Sequence, residues 1–252
     1  MNDKKRNIIL SSFILVLALI LAIINTNREK KIKDASKLKV YVSNKLVFDL
    51  TENIGGSKVK TYLVDKNTNT LDLNNSDLII NDFSDDTYLS SLIKDNKINN
   101  SKILEVGKDN KYKYYYENVS YVKPYLKEIN KELGRIDAKS KSYYSEGLNY
   151  YLKKLNEIDK KYNSLKEDSN IGILTMDDSL NYLDKWFIIR KPYMSNYSSK
   201  NMPKYFVIRD IDNDTLKFDP IERVKIYTLE KENLTYLDIM ERNYETIKSL
   251  LD

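Results

Sequence analysis

The chain of 252 residues contains no histidine and no cysteine, holds 21 tyrosines, and carries a formal net charge of +5. Losing those two side chains removes the usual neutral-pH general base, thiolate nucleophiles, Cys/His zinc sites and disulfides. The positive excess sits within residues 1–33, so residues 34–252 sum to neutrality and show no basic stripe of the kind that nucleic acid requires.

Lys4-Lys5-Arg6 precede an apolar run from Ile8 to Ile24 that is broken only by Ser11 and Ser12. At ~1.5 Å per residue such a run covers roughly 26 Å, close to the ~30 Å of a bilayer core. It predicts an N-terminal transmembrane anchor over residues 1–24, with a cleaved signal as the alternative. No small-x-small triplet follows the run, since Ala18 and Ala22 are four apart, and no cysteine follows that could carry a lipid. Arg28, Lys30, Lys31 and Lys33 balance the basic residues ahead of the run, so charge alone does not orient it. An anchor ahead of a polar domain most often exports that domain. The expected location is therefore the cell membrane, single-pass, with the soluble part on the extracytoplasmic side. Residues 25–38 are polar, without apolar periodicity, and read as a tether.

Lys39-Val40-Tyr41-Val42 predicts a strand, and Leu46 to Ile54 has the spacing of a helix that stops at Gly55-Gly56. Val59 to Val64 alternates like a second strand, and Leu78-Ile79-Ile80 is a short buried third. Tyr88 to Lys94 reads as a helix and Ile103 to Val106 as a strand. This rhythm predicts an α/β lobe over residues 39–121 with a mainly parallel sheet. Residues 122–168 form the linking region. Apolar side chains there fall at Leu126, Ile129 and Leu133, then at Tyr144, Leu148, Tyr151, Leu152, Leu155, Ile158, Tyr162 and Leu165. Steps of three and four mark a long amphipathic helix, and Gly147 inside the series argues against a coiled-coil seam. Ile171 to Leu174, Tyr205 to Ile208 and Val224 to Tyr227 then read as strands, with helices over 179–186 and 234–251. Residues 169–252 are thus a second α/β lobe.

Chemical motifs are few. There is no glycine-rich phosphate loop. Asp210 to Asp214 begins like an EF-hand loop, but its sixth position is Thr215 and its twelfth is Ile221, where that loop needs Gly and Glu. Asp85-Asp86 and Asp177-Asp178 are sequence neighbours with nothing to show that they converge on a substrate. No enzyme class and no cofactor is expected.

Val40-Tyr41-Val42, the run Ile54 to Val59 and Tyr62-Leu63-Val64 resemble the opening of the zinc/manganese-binding solute-binding proteins of ABC transporters. Ser76 to Asn81 is similar to that family's "ADLI-x-N" strand. Residues 129–159 are similar to its linking helix, and Thr235 to Leu251 to its closing helix. The resemblance implies two α/β lobes joined by a rigid helix, with a metal held in the cleft between them. It also implies that the second lobe is trimmed, because the stretch from Trp186 to Tyr227 is short for the family.

The same resemblance implies four ligand positions. The first falls in the loop after Val64, here DKNTNT; the second at Tyr114, with Tyr116 nearby; the third at Asp177; the fourth at Leu229. Of these only Asp177 carries a side chain that ligates readily. Tyrosine would have to ionise first, from a reference pKa near ~10. One carboxylate does not make a tight transition-metal site. Tyr114, Tyr116, Asp177 and Asp178 are the ligand-cleft candidates, and Asp177 the candidate metal ligand. The leading reading is a solute-binding-protein-like partner of an ABC permease with a degenerate metal site, taking an unidentified small solute. Its rival is an interaction or regulatory module that keeps the fold to dock a membrane partner. Residual binding of a hard cation by Asp177, Asp178 and neighbouring oxygens is a third reading.

Overall fold

A computed structural model describes residues 37–83, 87–98, 102–108, 118–168, 172–174, 188–190, 205–209, 222–226 and 234–249, the backbone alone for 166–168 and the last four strands. The expected anchor, residues 25–36 of the tether and the helix over 179–186 lie outside the described residues, and Leu38, the tether's last residue, instead begins the first strand. Among the described residues no helix is long and apolar enough to cross a membrane.

The first sheet has strands β1 (Leu38–Val42), β2 (Val59–Leu63), β3 (Leu78–Asp82) and β4 (Ile103–Val106) in the order β2-β1-β3-β4. β1 pairs in parallel with β3, Val40 opposite Leu78, and β3 pairs in parallel with β4, Ile79 opposite Ile103. β3 is central, and all five of its residues are buried. That explains its continuous apolar run: a strand covered on both faces has no polar side to alternate with.

Helix α1 (Lys45–Gly55) follows β1. Asn44 starts it, its side chain accepting from the Val47 N–H at 3.0 Å, and Leu46, Val47, Leu50 and Ile54 form its buried stripe. A short helix, α2 (Thr70–Asn74), and α3 (Tyr88–Lys94) pack on the sheet face that carries Ile79. There Val64, Leu73, Ile79, Leu89, Leu92 and Ile98 make one apolar cluster with Tyr41 and Tyr88 packed against it. Each fully buried aliphatic side chain contributes ~1.5–3 kcal/mol relative to exposure. Helix α2 was not foreseen, because its TLDLN segment buries only Leu73 and has no room for a period.

The linking region is two helices, where the sequence pattern suggested one long one. α4 (Val119–Ile136) begins ahead of Pro124, capped by Asn118, whose side chain accepts from the Ser120 N–H at 3.0 Å. α5 (Lys141–Asp168) follows after a single 3₁₀ turn. The break is built by Asp137. Its carboxylate accepts from the Ser140 N–H at 3.3 Å and from the Tyr144 hydroxyl at 3.0 Å. These bonds, Ser140 first, hold the Asp137 carboxyl below the ordinary aspartate range. The break falls in the gap between Leu133 and Tyr144, where the apolar series read from the sequence has no member.

α5 is the long helix of the fold. Tyr144, Tyr151, Leu155, Ile158, Tyr162 and Leu165 are its buried stripe, six of the eight residues in the series read from the sequence; Leu148 and Leu152 are only half-buried. It lies close against α1 at Gly147, where a Cβ would sit 2.8 Å from the Ile54 carbonyl oxygen. Lys123 of α4 and Asp159 of α5 form a half-buried ion pair at 3.4 Å.

Two further parallel pairs follow: β5 (Gly172–Leu174) with β6 (Ile188–Arg190), and β7 (Tyr205–Arg209) with β8 (Glu222–Ile226). The closing helix α6 (Tyr236–Lys248) has a complete capping box between Thr235 and Asp238 and docks on α5. Tyr162 donates to the Met240 carbonyl at 2.9 Å, and its ring meets Tyr244 edge-on at 5.6 Å.

Candidate functional site

In an open parallel sheet the ligand crevice lies beyond the carboxyl ends of the strands, where the strand order reverses. Here β2 and β3 flank β1 on opposite sides, so the reversal falls between β1 and β3. The residues at that point are Ser43 and Asn44 after β1 and Asp82 at the end of β3.

They are bound to one another. The Ser43 hydroxyl accepts from the Asp82 N–H at 2.8 Å, and the Asn44 amide donates to Asp82 Oδ2 at 3.0 Å. Asn44 thus caps α1 with its oxygen and holds a carboxylate with its nitrogen. The carboxylate lies at the positive end of that helix, a favourable place for an anion. Asp82 is 1 % exposed, and a buried carboxylate needs such partners. Across the rim, Gly107 follows β4 with φ of +78°, and a Cβ there would strike the Tyr125 hydroxyl and lie 3.0 Å from Asp82 Oδ1. The switch point of the four-stranded sheet is therefore packed with the chain's own polar groups.

Beside it lies the loop after Val64, the first ligand position that the family resemblance implies. It is a self-contained turn. Asp65 Oδ1 accepts from the Asn67 N–H at 2.9 Å and the Thr68 hydroxyl at 3.1 Å, while Thr68 accepts from the Asp65 N–H at 3.0 Å. Asn69 then caps α2 by accepting from the Leu71 N–H at 2.9 Å. The Asp65, Thr68 and Asn69 side chains make local bonds of the kind that Asp, Asn and Thr make in turns.

Tyr114, Tyr116, Asp177, Asp178 and Leu229 lie outside the described residues, so the other three ligand positions have no geometry here. Among the described residues no group of three or more His, Cys, Asp or Glu side chains could hold a metal ion. Asn81, at the end of the strand that resembles "ADLI-x-N", accepts from the Ser90 hydroxyl of α3 at 3.1 Å and so ties strand to helix.

Sequence reasoning missed Asp82 and Asn44. An Asn-Lys-Leu start to a helix signals a cap, but its bond to a carboxylate 38 residues away leaves no local trace.

The family model of ZnuA, the periplasmic zinc-uptake complex component A, matches residues 40–217. No curated protein sequence matches significantly. Solved structures share the fold. The metal-dependent lipoprotein YcdH of Bacillus subtilis is similar with a TM-score of 0.67 at 15% identity, over 84% of this chain and 99% of that one. The Zn(II)-bound ZnuA-like domain of Streptococcus pneumoniae AdcA has a TM-score of 0.64 at 14% identity, over 86% and 99%. The laminin-binding protein Lbp of Streptococcus pyogenes has a TM-score of 0.64 at 14% identity, over 85% and 98%.

Proposed function

This chain belongs to the ZnuA family of metal-binding solute-binding proteins of ABC transporters, and from that premise we propose a member whose metal site is degenerate. The family consists of non-enzymatic carriers, and this chain is one of them. In our reading it is held at the membrane by residues 8–24, with its lobes on the extracytoplasmic side beside an ABC permease. Residues 39–121 form the first lobe, 122–168 the link and 169–252 a trimmed second lobe.

The observation that carries the proposal is the loop after Val64. It contains no histidine, and its Asp65 Oδ1 and Thr68 hydroxyl bond to one another and to the loop's own N–H groups. Histidine is absent from the whole chain, so no imidazole stands at any family ligand position. Tight zinc sites need three or four well-placed N, S or O ligands. Asp177 and water do not supply them. Tyr114, Tyr116, Asp177 and Asp178 are then contacts for a different small solute, bound by hydrogen bonds and aromatic faces.

Metal titration of the purified full-length chain tests this directly. Zinc and manganese are expected to bind only weakly and to leave the melting temperature unchanged at stoichiometric metal, well below Kd. By mass action, a ligand at a hundred times its Kd stabilises by ~2.7 kcal/mol, which such a melt detects readily. Stoichiometric zinc retained through dialysis against a weak chelator would refute the degenerate site. Membrane fractionation with and without residues 8–24 tests the anchor; a truncated chain that still sediments with membranes overturns it.

A further inference from the structure

We propose that Asp49 is a carboxylate clasp that holds the first turn of the closing helix α6 onto the first lobe, at the point where the chain returns from the second set of strands. Asp49 lies in the middle of α1. Its Oδ2 accepts from the Tyr151 hydroxyl of α5 at 2.8 Å and from the Tyr236 N–H, the first of α6, at 3.3 Å. Three helices from distant parts of the chain meet at one oxygen atom.

The arrangement answers a local need. The first N–H groups of any helix have no partner within it. The capping box of α6 satisfies the N–H groups of Asp238 and Thr235, each at 3.3 Å. It leaves Tyr236 over, and Asp49 takes that donor from 187 residues away. A negative charge at this end of α6 also meets the positive pole of its dipole. Tyr236 and Tyr151 are buried on either side, at 1 % and 0 % exposure. Burial in turn pushes the Asp49 carboxyl above the ordinary aspartate range, against the pull of the Tyr151 and Tyr236 bonds. The other charges that bear on it are Lys45 on its own helix and Asp238 on α6.

α5 holds α6 a second time further along. Tyr162 follows Tyr151 by eleven residues, a spacing that returns a side chain to within ~20° of the same helix face. Tyr162 donates to the Met240 carbonyl at 2.9 Å, and Lys161 pairs with Glu241 at 2.8 Å. The clasp and this second fastening are separable, because they act on different turns of α6. The inference goes beyond the transport reading and is independent of what the cleft binds.

Hydrogen exchange followed by mass spectrometry on the full-length chain in detergent tests the clasp. Asp49→Ala is expected to speed exchange in residues 236–241 by about tenfold or more, the size expected from losing hydrogen bonds to a charged acceptor. Residues 242–248, which lie beyond the second fastening at Met240 and Glu241, respond less, and β1, β3 and α4 keep their wild-type rates. Tyr151→Phe, which leaves the Tyr236 bond in place, gives a smaller acceleration in the same segment. Unchanged exchange in 236–241 overturns the proposal. So does equal acceleration across α6, β1 and β3, which would make Asp49 a general stability residue. If Asp49→Ala does not fold, Tyr151→Phe and Asp49→Asn decide: wild-type exchange at the start of α6 in both overturns the clasp.

Discussion

Two glycines in helices, Gly134 and Gly147, are expected to respond oppositely to the same substitution. Alanine in place of a helical glycine gains ~1 kcal/mol of helix propensity at either site. At Gly147 the new Cβ would lie 2.8 Å from the Ile54 carbonyl oxygen, 3.1 Å from that of Asn53 and 3.2 Å from the Ile54 Cα. All three are main-chain atoms of α1, so relief requires α1 and α5 to move apart. Overpacking of this kind costs ~1–3 kcal/mol. Gly147→Ala is therefore expected to be destabilised by ~0–2 kcal/mol once the propensity gain is subtracted. At Gly134 the nearest atoms, 3.1 to 3.8 Å away, all belong to the flexible side chain of Lys141. That side chain can rotate away, and Gly134→Ala is expected to gain up to ~1 kcal/mol. Urea melts followed by circular dichroism measure both variants against wild type. In thermal melts the two should be separated by several degrees, at ~2–4 °C per kcal/mol for a chain of this size. If Gly147→Ala proves as stable as Gly134→Ala, the close crossing of α1 and α5 is refuted.

Asn44→Ala should cost ~1 kcal/mol for the lost cap of α1, and ~1–3 kcal/mol more because Asp82 loses a buried donor; urea melts resolve that from the loss of a cap alone. Tyr162→Phe removes the buried bond to the Met240 carbonyl and should cost ~0.5–1.5 kcal/mol without changing the helical content; a neutral variant would refute the bond. The Asp49 carboxyl, raised by burial, binds its proton more tightly folded than unfolded. The folded state then carries the extra proton, so this group's contribution to stability falls as pH rises from the unfolded pKa of ~3.9 through the raised folded value. Asp49→Asn removes that dependence. The stability of wild type relative to this variant should therefore decline with rising pH across that window, and a flat or rising difference would contradict the raised pKa.

The four strands of the first lobe were readable because each is a short apolar run between polar breaks, a pattern set by neighbours along the chain. Leu78-Ile79-Ile80 gave away a strand covered on both faces, and the Tyr144 to Leu165 series gave away the buried stripe of α5. The missing histidines and the DKNTNT loop likewise raised the question of a lost metal site before any fold was known.

Other features depend on contacts that local pattern does not encode. The linking helix implied by the resemblance runs across Asp137, and the bonds from Ser140 and Tyr144 are what divide that region into two helices. Asp49 and Asp82 look like surface aspartates in the sequence. Asp82 became a buried acceptor and Asp49 a half-buried one because the fold brings donors to them from 38 to 187 residues away. By itself the sequence determined the order of strands β1 to β4, the absence of imidazole and thiol ligands, and which helix faces are apolar. The tertiary structure alone decided which carboxylates are buried and what holds them, because desolvation and hydrogen-bond partners are properties of packed neighbours and not of position in the chain.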